Sequence, residues 1–192
     1  MYHMNQDQRK RKMQNLSHKT AIQRMKPSVP ARFVIEKLYP KYKYKSILDY
    51  GCGKGMDAES FRALGIKTIK YDPYYTDAID EIFSLDHSVG RFDLVTCTYV
   101  LNVLFPIERK QVLEKVLNKV KIGGHVLISI RSNLKIKNKW IPYDDGYITQ
   151  SGTFQVPINT KELAKVIVEK GFVIEHFSSS KILAKNLYYS DI

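Results

Sequence analysis

The residues best suited to chemistry lie between positions 49 and 75. Asp49-Tyr50-Gly51-Cys52-Gly53-Lys54-Gly55 follows the apolar run Ser46–Tyr50 and opens a helix. Glycines at alternate positions permit unusual backbone angles and let a ligand approach the main chain with no Cβ in the way. A dinucleotide loop reads G-x-G-x-x-G. Here the third glycine comes one residue early and position 56 is Met. With Asp49 directly before the loop, this spacing favours a ligand built from a nucleoside and an amino acid over a pyrophosphate. Asp72 stands 23 residues beyond Asp49 and ends the second apolar run. A carboxylate has only acceptors, so at this separation from a glycine loop it suits the two hydroxyl donors of a ribose.

The residues around Asp72 pose a question of their own. Asp72-Pro73-Tyr74-Tyr75 is spelled much like the Asp/Asn-Pro-Pro-Tyr signature of enzymes that methylate exocyclic amines of DNA bases. That signature belongs at the end of a fourth strand, whereas this one ends the second. Asp72 therefore reads as the ribose ligand, Pro73 turns the chain away, and Tyr74 or Tyr75 packs near the adenine. Cys97 sits near the end of the fourth strand, where a nucleophile for cytosine C5 would stand. Those enzymes usually place Pro just before the cysteine; here Thr96 precedes it. Cys97 reads instead as a small buried strand residue.

Elements that alternate in type must position these groups. Buried strands are expected at 46–50, 66–72, 92–98 and 125–130, with a weaker one at 81–85. A helix is expected at 57–64, stopped by Gly65, and another at 106–120, closed by Gly123-Gly124. Lys161–Lys170 reads as a helix, and 172–177 with 181–188 as a terminal antiparallel pair. A short helix follows Pro30, over 31–38. The expected fold is α/β: a mostly parallel seven-stranded sheet with helices on both faces. In such a sheet the ligand lies beyond the carboxyl ends of the strands, beside the first one.

Charge divides the chain unevenly. The formal net charge is +12, yet residues 1–45 hold 12 Lys/Arg against Asp7 and Glu36, a net of +10. The reading is a basic arm and lid segment over 1–45 and a domain over 46–192. A basic arm on a nearly neutral body points to an anionic partner, with nucleic acid foremost. A solubilising tail is the alternative. Arg131, Lys135, Lys137 and Lys139 form a second, weaker basic cluster. Two cysteines, Cys52 and Cys97, provide no disulfide framework. No apolar run is long enough to span a bilayer, so no membrane partner is expected and a cytoplasmic location is. No metal is implied.

The chain resembles the class I S-adenosylmethionine-dependent methyltransferases over residues 46–188. More narrowly, it is similar to methyltransferases found with DNA phosphorothioation systems. The matching segments are HKTAIQR at 18–24, DYGCGKGMD at 49–57, the stretch from Gly65 to Tyr75, YVLNVL at 99–104 and DGYITQSGTFQ at 145–155. The resemblance implies a Rossmann-like fold and S-adenosyl-L-methionine as cofactor. It implies that Gly51, Gly53 and Gly55 surround the methionine and ribose, that Asp49 orients their loop, and that Asp72 binds the ribose hydroxyls. Leu85 and Asp86 would flank the adenine, with Asp80 or Glu81 as alternatives to Asp86. Thr98 and Tyr99 would border the sulfonium. His18, Lys19 and Arg24 would fold over the pocket toward substrate or cofactor. Asp144 or Asp145 is a candidate base, Phe154 a candidate stacking surface and Gln155 a candidate base-edge reader. The implied activity is methyl transfer to nucleic acid, DNA before RNA. A small metabolite as acceptor, or a non-catalytic binding role, are the competing readings.

Overall fold

The computed structural model describes residues 17–74 and 92–187. Ser28 starts the folded body. Its Oγ accepts from Ala31 N at 3.1 Å, an N-cap before a helix whose first turn carries Pro30. Three contiguous helical segments follow, Val29–Phe33, the wider-turned Val34–Leu38 and Tyr39–Tyr42, together α1. Then come β1 (Ser46–Tyr50), α2 (Met56–Arg62), β2 (Lys67–Tyr71), β3 (Phe92–Thr98), α3 (Pro106–Asn118) and β4 (Val120–Ser129). A small insert holds β5 (Ile141–Tyr143), β6 (Gly146–Ile148) and β7 (Phe154–Gln155). The chain closes with α4 (Thr160–Glu169), β8 (Phe172–Phe177) and β9 (Lys181–Asn186).

Six described strands form one sheet in the order β2-β1-β3-β4-β9-β8. The first four are parallel; β9 and β8 run antiparallel at the edge. This is the expected Rossmann-like architecture. The expected strand at 81–85 lies outside the described residues.

Strand alternation sends successive side chains to opposite faces, and both faces are covered. Ile47, Leu94, Leu127 and Leu183 meet Ala31, Val34 and Leu38 of α1 and Phe61 of α2. Leu48, Val95, Val126 and Ala184 meet Leu113 and Val116 of α3 and Leu163 and Ile167 of α4. Ala31, Val34 and Leu38 are buried in this layer, so α1 packs directly on the sheet.

One local expectation is corrected. Gly123-Gly124 do not close α3, which ends at Asn118 with Lys119 as its cap. They lie within β4, where a Cβ on Gly124 would stand 2.9 Å from the Asp93 carbonyl oxygen. The strands approach too closely there for a side chain, and the pairing register shifts beside it. The segment after β4 folds into a three-stranded antiparallel sheet, β5-β6-β7. Phe154 and Val156 bury themselves against Phe105 at the start of α3 and anchor this sheet.

Candidate cofactor and acceptor clefts

In the described sheet β1 stands between β2 and β3, so the strand order reverses there and a cleft opens at the strands' carboxyl ends. The glycine loop leaves β1 into that cleft. Gly51 and Cys52 donate their N–H groups to the Tyr71 carbonyl at 2.7 and 3.1 Å, tying the loop to the end of β2. Gly51 has φ +74°, and a Cβ there would lie 2.2 Å from Val100 Cγ2. Both the backbone angle and the lack of room therefore demand glycine at this position.

Asp72 completes one wall. Its carboxylate accepts from Gly53 N at 2.9 Å and from Tyr74 N at 3.0 Å. The aspartate thus orders the loop as well as facing the cleft. Asp49 lies behind the loop, 3% exposed, where Thr96 Oγ1 donates to its Oδ1 at 2.8 Å and Oδ2 has no protein donor. Burial pushes its carboxyl up to about 7, and the negative charges of Asp57 and Asp72 add to that, against the Thr96 hydrogen bond. Asp57, on α2, accepts from Ser28 N at 2.7 Å and Ser28 Oγ at 2.6 Å. Three carboxylates therefore gather on one side of the cleft, a field suited to a cationic ligand.

Residues 20–24 cover the opening. Thr20, Ala21, Ile22 and Arg24 face Gly53, Asp72, Tyr74, Thr98 and Tyr99 across it. Arg24 reaches Asp57 at 4.0 Å and places its guanidinium carbon 5.8 Å from the centre of the Tyr99 ring. Tyr99 has φ +61°, a backbone region that non-glycine residues adopt at a cost, and such positions cluster at functional sites. Its N–H donates to Ser129 O at 2.8 Å, which holds it at the mouth of β3.

A second cleft adjoins the first and shares Thr20, Ile22, Arg24, Tyr99 and Val103 as walls. Its far side is built by Arg131, Lys137 and Trp140 after β4 and by Thr149, Ser151, Thr153 and Gln155 of the small sheet. Asn102, 1% exposed, joins these parts. Its Nδ2 donates to Val156 O at 2.9 Å, its backbone O accepts from Val156 N at 2.9 Å, and its Oδ1 accepts from Arg131 N at 2.7 Å.

The structure brings together Gly51, Gly53, Asp72, Thr98, Tyr99 and Arg24 at the first cleft, and Lys19, Arg24 and Gln155 at the second. Asp49 backs the loop without reaching the cleft surface. Gly55 caps the start of α2 with φ +82° and is not a wall. His18 lies in the turn Ser17–Thr20, and its side chain, like Leu85, Asp86, Asp80 and Glu81, lies outside what is described. Two expectations are corrected. Asp145 is not in either cleft: Arg109 donates to it through Nη1 at 2.8 Å and Nη2 at 3.2 Å, which clamps the small sheet to α3. Phe154 is 2% exposed and packs on Phe105 with ring centres 4.6 Å apart, so it offers no stacking surface. A partly exposed guanidinium and an apolar neighbour, both distant in sequence, capture these two residues. Cys97 is fully enclosed and its thiol is pushed up to about 12 by burial, the opposite of an activated nucleophile. Asn102, Trp140, Thr149 and Ser151 escaped the sequence reading as individual site residues; Gln155, within segment 145–155, and the basic cluster around Arg131 and Lys137 signalled this wall.

A family model described as a methyltransferase domain matches residues 8–185, and the chain belongs to that family. No curated protein sequence matches it. Solved structures of methyltransferases share the fold. The 1,6-didemethyltoxoflavin-N1-methyltransferase of Burkholderia thailandensis, with S-adenosylhomocysteine bound, superposes with TM-score 0.60 at 14% identity, over 83% of this chain and 79% of that one. The sugar N-methyltransferase KedS8 of Streptoalloteichus sp. gives 0.62 at 13% identity, over 84% and 88%. Human N-acetylserotonin methyltransferase with S-adenosylmethionine gives 0.56 at 20% identity, over 95% of this chain and 56% of that one. The protein is an S-adenosylmethionine-dependent methyltransferase. Among the described residues no helix is long and apolar enough to cross a membrane.

The first cleft fits the cofactor by its own chemistry. A Cβ at Gly51 would run into Val100, and one at Gly53 would lie 3.2 Å from Ala21, so the glycines keep a cradle open. Asp72 presents acceptors to it, and the carboxylates behind it suit a ligand with two positive centres.

Proposed function

We propose that the protein methylates an acceptor held in the second cleft, with S-adenosylmethionine held in the first. The observation that carries this reading is the shared wall: Tyr99 and Arg24 border both clefts. Gly51, Gly53 and Asp72 would hold the cofactor's ribose and amino-acid portions, and Thr98 and Tyr99 would lie toward its sulfonium. When bound, S-adenosylmethionine supplies an electrophilic methyl group whose departure leaves a neutral thioether. The protein's contribution is alignment and exclusion of water. Tyr99 is fixed by its backbone bond to Ser129, and residues 20–24 close over the cleft. No described carboxylate borders the second cleft, so the reading assigns no Asp or Glu as base.

A small metabolite is the acceptor we place first. The cleft is walled in part by the β5–β7 segment, and the didemethyltoxoflavin and sugar N-methyltransferases that share the fold are named for small acceptors. Nucleic acid is the second reading. It is favoured by the net +10 over residues 1–45, and by the resemblance of segments 18–24 and 145–155 to methyltransferases that accompany DNA phosphorothioation. Incubating the full chain with methyl-labelled cofactor and separate pools of DNA, RNA and metabolites tests both. Label in the metabolite pool alone supports the first reading, and label in DNA or RNA alone overturns it. Label in no pool, with the cofactor bound, points to the non-catalytic role.

A further inference from the structure

The second cleft has an unusual charge balance. Lys19, Arg24, Arg131 and Lys137 border it, and among the described residues no carboxylate does. Arg24 is partly occupied by Asp57 at 4.0 Å. Among the described residues none of the ion pairs involves Lys19, Arg131 or Lys137. Elsewhere on this surface lysines do find carboxylates: Lys70 meets Glu59, Lys121 meets Asp93 and Lys170 meets Glu114. Cations from two separate segments therefore converge on one concave site with nothing opposite them. Their mutual repulsion is relieved only by water, salt or an anionic ligand.

The site is also built rather than accidental. Arg131 hangs from a backbone N–H fixed by the buried Asn102 at 2.7 Å. Facing it, Thr149 Oγ1 lies 2.9 Å from Ser151 Oγ and 2.8 Å from Thr153 Oγ1. This hydroxyl cluster can redirect a donor toward an anion. A guanidinium, two ammonium groups and hydroxyls match a tetrahedral dianion better than a single carboxylate.

Resting on the methyl-transfer reading above, we infer that the acceptor carries a phosphate group, bound by Arg131, Lys137 and Lys19 at the far wall of the second cleft. The remainder of the acceptor would then extend along Trp140 toward Tyr99, where the two clefts meet. A free phosphorylated metabolite and a nucleic-acid backbone share this chemistry.

Trp140 is the chain's one tryptophan and borders this cleft, so its emission reports on the site alone. The full chain, saturated with S-adenosylhomocysteine, is titrated with inorganic phosphate, a nucleoside monophosphate, a short single-stranded oligonucleotide and acetate. The phosphate-bearing probes are expected to shift Trp140 emission saturably, and acetate to do so only at higher concentration. Arg131→Ala and Lys137→Ala, both at exposed positions, are each expected to weaken binding about tenfold. The same variants should keep parental affinity for S-adenosylhomocysteine, which separates loss of the anion site from loss of folding. A response to the monophosphate alone supports a small acceptor, and a response to the oligonucleotide alone supports a polymer as the source of the phosphate. Emission unmoved by every phosphate probe while S-adenosylhomocysteine is bound would overturn the inference. Variants that titrate like the parent would do the same. Failure to bind S-adenosylhomocysteine at all would strike the methyl-transfer reading first, and this inference with it.

Discussion

Asp72 orders the glycine loop and is the proposed ribose ligand, and removing it separates the two roles. In Asp72→Ala, Gly53 N–H and Tyr74 N–H lose the carboxylate they donate to at 2.9 and 3.0 Å. Hydrogen bonds to a charged group contribute about 1.5–3 kcal/mol each. Asp72 is 9% exposed at the cleft rim, so water can replace part of this. We therefore expect a net loss of about 2–3 kcal/mol in stability. For a chain of this length that corresponds to a Tm lower by roughly 4–12 °C. The proposed ribose contacts are a further loss, suffered only when the cofactor binds. Two charge-assisted bonds to hydroxyls at about 1.5 kcal/mol each weaken binding by about a hundredfold. Scanning calorimetry reads the first effect and titration calorimetry with S-adenosylhomocysteine the second. A Tm drop with affinity unchanged would make Asp72 a loop tie only and refute the ribose assignment. An unchanged Tm would refute the hydrogen-bond account itself.

Four further outcomes are expected. Gly51→Ala forces a left-handed alanine, at about 1–2 kcal/mol, and drives a methyl against Val100; S-adenosylhomocysteine binding should collapse, and adding Val100→Ala should recover part of the stability but not all, as melting curves of the single and double variants would test. Asp49 has its folded pKa raised to about 7, above its ordinary value, so its contribution to stability is full below about pH 4 and lost as pH rises through 7, by roughly 4 kcal/mol. Asp49→Asn should lack that slope, so the wild-type-minus-variant difference from denaturant melts at pH 5 to 8 should fall as pH rises towards 7, and a flat difference would refute the account; buried His125, lowered chiefly by burial, slopes oppositely but cancels in the difference. Asp145→Ala should cost about 1 kcal/mol or less, because the pair with Arg109 is partly exposed, and should leave methyl transfer intact; abolished turnover in a variant of normal Tm would restore Asp145 as a base. Deleting residues 1–16 removes Arg9, Lys10, Arg11 and Lys12 and should flatten the salt dependence of any duplex binding by up to about 3.6 units of log–log slope; an intact protein that binds no DNA or RNA at low salt would leave the arm a solubilising tail.

The parts legible in the sequence are those that depend on residues close together along the chain. Gly51, Gly53 and Asp72 could be placed at one cleft because a tight turn out of an apolar strand needs glycine at set positions, and the next strand brings its carboxylate back beside the turn. The same local logic located the parallel strands, since alternating or continuous apolar runs need only a neighbour of like period. It failed where a distant partner decides. Nothing near Asp145 in sequence says that Arg109 will take its carboxylate, nor near Phe154 that Phe105 will cover its ring. Gly123-Gly124 look like a helix stop until β3 passes within contact of them. The assembly of the second cleft belongs to this second category. Asn102, Arg131, Trp140 and Thr149 come from different stretches of chain and meet because a buried asparagine stitches two backbones to the end of the sheet. The sequence by itself determined a glycine loop leaving β1 with an acidic residue beside it, a pattern that suits a nucleoside-bearing cofactor. The tertiary structure alone decided what faces it, because a cleft between elements is defined by their packing and not by the period of any one of them.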